Sequence, residues 1–242
     1  MKNLRMINVV DYVEKNISEF HNKRFIKLEN LRLTEILKRK NPYLFKAKNI
    51  LTAQDLVKYI LDAYLSTQEE IIFGEFLEGL AIYINHLVFA GRKSSAEGID
   101  LEFDQDNIKY IVSIKSGPNW GNSRQIAKMK DDFNRAKKVL RTNAPTIQIE
   151  AVNGCCYGRD NQPDKGDYSK YCGQRFWQFI SGEQYLYTEI IEPLGHKAKE
   201  KNDQFLAAYS QILNRFTFEF GAEFCTDGRI DWEKLVQFNS AA

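Results

Sequence analysis

The chain has 242 residues, 43% apolar and 13% aromatic, with 34 Lys and Arg against 32 Asp and Glu and a formal net charge of +2. That length suits one sizeable globular domain, and sixteen Phe and twelve Tyr with only five Pro exclude a disordered chain. No uninterrupted apolar run reaches the roughly eighteen residues of a membrane span, charges interrupt the N-terminal apolar stretch so that it reads as no signal peptide, and the four Cys are expected as thiols in a reducing cytoplasm.

Helical periodicity runs from Ile7 to His21, from Leu28 to Lys40, and from Ala53 to Leu65 with Thr52 as N-cap; Asn41-Pro42 separates the second from the third. A longer helix from Gln68 to Phe89 is predicted to end at Gly91, with His86 packed in it and 80–90 as its most apolar part. The period then changes. Ile99, Leu101 and Phe103 alternate with Asp100 and Glu102, and after a polar turn at Asp104 to Asn107, Tyr110, Val112 and Ile114 alternate with Ile111, Ser113 and Lys115. Two alternating runs around a short turn predict a β-hairpin, which Gly117-Pro118-Asn119 ends. A basic amphipathic helix follows from Ser123, its cap, to Leu140, and Thr146 to Val152 is a third strand. Arg159 to Lys170 reads as a long polar loop; from Arg175 the chain is mostly helical, anchored by Phe176, Trp177, Phe179 and Trp232. This order predicts an α/β core whose small mixed sheet has helices on both faces.

Charge is unevenly spread. Lys23, Arg24, Lys27, Arg32, Lys38, Arg39, Lys40, Lys46 and Lys48 face only Glu29 and Glu35, and a second basic stretch joins Arg124, Lys128, Lys130, Arg135, Lys137, Lys138 and Arg141. Such clusters neutralise phosphates along a duplex, or else form solvated helix faces.

Period-two geometry puts Asp100 with Glu102 on one face of the first strand, and Ser113 with Lys115 on one face of the second. A carboxylate and an ammonium then converge at one end of the hairpin. That pairing suits phosphodiester hydrolysis: Mg²⁺ takes one or two carboxylates and keeps several waters, while a nearby Lys orients a water and offsets charge on phosphorus.

Gly98-Ile99-Asp100 followed by Ser113-Ile114-Lys115 resembles the PD-(D/E)xK nuclease signature. The words Lys93 to Phe103 and Ser113 to Ser123, with Asn41-Pro42-Tyr43-Leu44-Phe45 and Cys172-Gly173-Gln174-Arg175-Phe176-Trp177, resemble a branch of type II restriction endonucleases. The resemblance implies a restriction-endonuclease-like core with a small central mixed sheet, in a single nuclease domain over 1–242. Its helical N-terminal part would be 1–67, its catalytic core 68–155 and its mostly helical C-terminal part 156–242. It implies Mg²⁺-dependent cleavage of double-stranded DNA at a specific site by a homodimer, with 5′-phosphate and 3′-hydroxyl products. Alternative readings are a repair or structure-specific nuclease of the same superfamily, or a DNA-binding module whose centre has decayed.

The chain departs from that signature at Ser113, where the family carries an acid. Some restriction enzymes with serine there recruit an acid from a helix, and Glu78 is the first candidate; Glu75, Asp131, Asp132 and Glu102 remain open. Asp100 and Glu78 would then hold the metal, Lys115 would orient the water, and Ser113 would be a small spacer, since no base stands near it to make it a nucleophile. Lys93, Ser94, Ser95, Asn119, Trp120, Asn122 and Arg124 are candidate DNA contacts, Trp120 equally a plug against the core. Arg159, Asn161 and Gln162 are candidates for base readout in the major groove. Cys155, Cys156 and Cys172, with Cys225 or His196, could supply zinc ligands, but the spacing is no zinc knuckle and buried thiols are the simpler reading.

Overall fold

The computed structural model describes residues 2–143 and 146–241. The chain divides into two compact units: Met1–Ile17 with Phe73–His196, and Ser18–Ile72 with Lys197–Ala242. The divisions at residues 17/18 and 72/73 fall inside two helices, α1 (Met6–Glu29) and α4 (Ala53–Phe89).

The first unit is built on a five-stranded mixed sheet. β1 (Arg92–Lys93), β2 (Leu101–Gln105) and β3 (Ile108–Lys115) pair antiparallel; β3, β4 (Gln148–Cys155) and β5 (Ser169–Cys172) pair parallel. The hairpin is tighter than predicted. Asp104 and Gln105 stay in the ladder, and only Asp106 (φ 52°) and Asn107 (φ 61°) turn, both left-handed, as a two-residue turn matched to strand twist requires. Alternation on β2, β3 and β4 sorts side chains to two faces. Leu101, Phe103, Val112, Ile114 and Val152 join Leu77, Leu80, Ala81 and Ile84 of α4 and Phe176, Trp177 and Ile180 of α6 (Gln174–Ser181). Ile111, Ile149 and Ala151 meet Met129, Phe133 and Ala136 of α5 (Ser123–Asn143). The parallel β3–α5–β4 connection is a βαβ unit, the arrangement that needs a helix to cross between parallel strands. Two short helices, α7 (Leu186–Glu189) and α8 (Ile191–Leu194), complete this unit.

The second unit is helical. The end of α1, α2 (Leu33–Lys38), α3 (Pro42–Ala47), the start of α4, α9 (Ala198–Phe224) and α10 (Trp232–Ser240) share a core that includes Leu28, Ile36, Leu56, Ile60, Phe216 and Phe220. A two-stranded ribbon, β6 (Cys225–Thr226) with β7 (Arg229–Ile230), joins α9 to α10.

Several boundaries differ from expectation for local reasons. The helix predicted over Leu28–Lys40 is split, because α1 runs to Glu29 and the chain turns before α2. Asn41-Pro42 starts a helix rather than only breaking one: Asn41 Oδ1 accepts from the Tyr43 and Leu44 amides, with Pro42 where its missing N–H costs nothing. The segments 53–65 and 68–89 fuse into α4, since Thr67 returns its hydroxyl to the Ala63 carbonyl (3.0 Å) instead of capping a new start. Thr52 does cap α4, accepting from the Asp55 amide at 3.1 Å. Ala90 (φ 56°), not Gly91, takes the left-handed position beyond the last turn, and His86 is exposed, its Nδ1 3.0 Å from the Gly91 carbonyl. Although no uninterrupted apolar run reaches eighteen residues, α4 as a whole is long and apolar enough, by length and composition, to cross a membrane. Within it, Leu77, Leu80, Ala81 and Ile84 are buried in the core of the first unit.

Close packing fixes the sheet against α6. A Cβ on Gly154 of β4 would stand 2.2 Å from Cε2 of the fully buried Phe176. Gly154→Ala is therefore expected to lower stability by about 1–3 kcal/mol, through overpacking rather than backbone strain. Urea denaturation would read this as a lower midpoint at unchanged slope, and an unchanged midpoint would show that the ring can move aside.

Candidate active site

Asp100 immediately precedes β2 and is already tied to its neighbour, its amide donating to the Val112 carbonyl at 2.9 Å. Gly98 sets up this entry: its φ is +75°, and a Cβ there would stand 2.3 Å from Asp132 Oδ2. One carboxylate oxygen of Asp100, Oδ2, carries the contacts. It accepts from the Ile114 amide (2.6 Å) and the Ser113 hydroxyl (3.4 Å), and Lys115 Nζ lies 3.7 Å away. Oδ1 takes part in none of the hydrogen bonds among the described residues, which leaves it outside this network. Ser113 is buried, while the Asp100 and Lys115 side chains are 22% and 30% exposed, open enough to meet a ligand. The Lys115 ammonium also stands 5.4 Å from the centre of the Trp120 ring, within cation–π range.

Glu78 comes from α4, on the turn that passes the same end of the sheet. A Cβ on Gly74 would lie 3.7 Å from Ser116 Cβ, just past β3, and Glu78 is one turn further along that face. Its carboxylate reaches Lys93 Nζ at 3.4 Å; Lys93 is the register partner of Leu101, next to Asp100. Its charge is also felt by Cys156, whose amide donates to the Lys115 carbonyl; burial first and Glu78 second push that thiol up to about 12. The other acids lie differently. Glu102 and Asp132 are buried and paired with Arg92 and Arg135, lining a cleft of about 390 Å³ with Ser94 and Ser95. Asp131 and Glu75 are exposed on α5 and α4.

Of the candidate DNA contacts, Lys93, Ser95, Asn119, Asn122 and Arg124 are exposed, whereas Ser94 Oγ is occupied by the Ala96 amide (3.0 Å). Asn122 replaces Ser123 as the cap of α5: its Oδ1 accepts from the Arg124 and Gln125 amides, both at 3.1 Å. Trp120 is half-buried against Met129 and Phe133 and its neighbours, and its indole donates to Asn153 Oδ1 at 3.0 Å.

Three residues that the sequence reading passed over hold the loop after Lys115. Asn153 takes Trp120, the Tyr157 ring packs on Gly117, and Lys170 Nζ donates to the Pro118 carbonyl at 2.9 Å. The only local signal was Asn153, a polar residue between the apolar Ala151-Val152 and Gly154-Cys155-Cys156. The segment Arg159–Lys170 is more ordered than a plain loop. Its last two residues belong to β5, Asp164 bridges Ser169, and Asp160 gathers the Gln162 amide with Lys165 and Lys170. Those contacts hold the Asp160 carboxyl below its usual range, although burial pushes the other way. Arg159, Asn161 and Gln162 stand exposed on it.

All four Cys are free thiols, Cys155, Cys156 and Cys172 buried, and burial pushes the Cys155 thiol well up. Among the described residues no group of three or more His, Cys, Asp or Glu could hold a metal, so the zinc reading finds no support. Two carboxylates are not such a group, yet one or two with waters are what Mg²⁺ takes. The donor set at the sheet end, an Asp100 oxygen outside the local network and the hard carboxylate of Glu78, fits a small divalent cation in chemistry.

Residues 7–202, more than half of the chain, match a model of type II restriction endonucleases, which makes the chain a hydrolase that cleaves DNA at a specific site. The family is the one described as type II restriction endonuclease EcoO109I, and the chain belongs to it. Enzymes of this kind generally act with a divalent metal ion. Among curated proteins none matches the chain.

Proposed function

We propose that the chain cuts double-stranded DNA with Mg²⁺ at a PD-(D/E)xK centre formed by Asp100, Glu78 and Lys115, as a homodimer whose two centres cut the two strands of a palindromic or near-palindromic site. The observation that carries this reading is the 3.7 Å approach of Lys115 Nζ to an Asp100 carboxylate already held by the Ile114 amide. Asp100 and Glu78 would hold the metal, which when bound makes a water easier to deprotonate and polarises the phosphoryl oxygen. Lys115 orients the attacking water and offsets charge on the five-coordinate phosphorus. As the water oxygen bonds to phosphorus and gives its proton to solvent, the P–O3′ bond breaks and the 3′ oxygen leaves with a proton from solvent, giving a 5′-phosphate and a 3′-hydroxyl. Ser113 supplies no charge; its hydroxyl and the next amide steady Asp100. Lys93, Ser95, Asn119 and Arg124 are proposed phosphate contacts, Ser94 through its backbone, with Trp120 and Asn122 shaping the loop between them. Every one of these residues lies in the first unit, which is proposed as the seat of catalysis within a single nuclease domain. Free, buried cysteines support a reducing, cytoplasmic setting.

Incubation of the purified protein with phage DNA and Mg²⁺ is expected to give discrete fragments whose sequenced ends define one site, with no cutting in excess EDTA. Sedimentation velocity is expected to show a dimer. Tight, site-specific binding in Mg²⁺ without cleavage across many DNAs would replace this reading with a decayed binding module, and cutting confined to branched substrates with a structure-specific nuclease.

A further inference from the structure

Asn153 of β4 is the register partner of Ser113 and is 1% exposed. Both ends of its side-chain amide are used. Nδ2 donates to the Ser113 carbonyl at 3.1 Å, and Oδ1 accepts from Trp120 Nε1 at 3.0 Å. The Ser113 carbonyl belongs to the same peptide unit as the Ile114 N–H, which donates to Asp100 Oδ2 at 2.6 Å. The chain Asn153 N–H, Ser113–Ile114 peptide, Asp100 carboxylate is therefore continuous, and each bond polarises the next. From its other end the amide holds the indole whose ring lies 5.4 Å from the Lys115 ammonium.

We propose that Asn153 is a positioning residue for cleavage, setting Asp100 through the Ser113–Ile114 peptide and Lys115 through Trp120. It touches neither DNA nor metal. The two bonds of this buried amide go to the peptide that holds Asp100 and to the indole beside Lys115; among the described residues its remaining side-chain neighbour is the Cys155 thiol, at 3.9 Å. Misplacement of reacting groups by about 1 Å costs on the order of 100-fold in rate, so the effect belongs in the chemical step and not in affinity.

The proposal rests on the Asp100–Lys115 reading, and its test separates the two. Single-turnover cleavage in Mg²⁺ and DNA affinity in Ca²⁺ are measured for the full-length wild type, Asn153→Ala, Trp120→Phe and the double variant, with folding checked by thermal melting. Asn153→Ala is expected to cleave about 100-fold more slowly with affinity changed less than about threefold. Trp120→Phe keeps a ring but loses the indole N–H, and is expected to cleave roughly tenfold more slowly. Both variants remove the same Asn153–Trp120 bond, so the double variant should lose less than the product of the single losses. Equal wild-type and Asn153→Ala rates, or parallel loss of rate and affinity, would overturn it while leaving the function intact. Should Asn153→Ala fail to fold, an unchanged rate in Trp120→Phe overturns it alone. A wild type that cuts nothing is instead a failure of the underlying function.

Discussion

Lys115→Ala is expected to slow single-turnover cleavage about 10²–10³-fold, the loss seen when one preorganised donor to developing charge is removed. The ammonium is anchored from two sides, by Asp100 Oδ2 at 3.7 Å and by the Trp120 ring, and it is only 30% exposed. Truncation removes the charge while the strand, whose Val112 and Ile114 stay in the core, remains in place. Affinity for the site, measured in Ca²⁺, should fall little, because one ammonium among many basic groups contributes modestly to phosphate neutralisation. Wild-type rates in Lys115→Ala would remove Lys115 from the chemistry altogether.

Asp100→Asn should be comparably severe by a different route. The side chain keeps its size, and an amide oxygen still accepts from the Ile114 amide and the Ser113 hydroxyl, so thermal stability should shift little. What disappears is the formal charge that would draw the cation. A loss of about 4 kcal/mol in transition-state stabilisation corresponds to roughly 10³-fold in rate, and higher Mg²⁺ should recover part of it, as expected of a weakened ligand. If cleavage in the variant matched wild type at low Mg²⁺, the metal would have to be held elsewhere.

Much of this geometry was legible in sequence because it is local. Alternation in Ile99–Phe103 and Tyr110–Lys115, with one short turn between, is enough to bring Asp100 and Lys115 to one end of a hairpin, while the exact register, Leu101 opposite Val112, follows from the tighter two-residue turn; the β3–α5–β4 order follows from the change of period. What escaped depends on contacts distant in sequence or on competing local bonds. Nothing near Lys170 signals that it reaches the Pro118 carbonyl, 52 residues earlier. β5 has four residues, too few for a periodicity, and its pairing with β4 creates it. Glu78 could be named only by likeness to other enzymes; its place beside Lys93 follows from how α4 crosses the sheet end. The cap of α5 was misread by one residue because Asn122 and Ser123 are both good cap formers, and only the hydrogen bonds choose between them.

The hairpin also separates what must be conserved in shape from what is free to vary. Its two strands run in opposite directions, so the carboxylate at one beginning and the ammonium at the other's finish share a single end, and the Asp106–Asn107 bend lies about 20 Å off at some 3.3 Å per residue. A short epitope or dye-bearing insert grafted into that bend should report on the molecule while digestion of DNA proceeds at its normal pace.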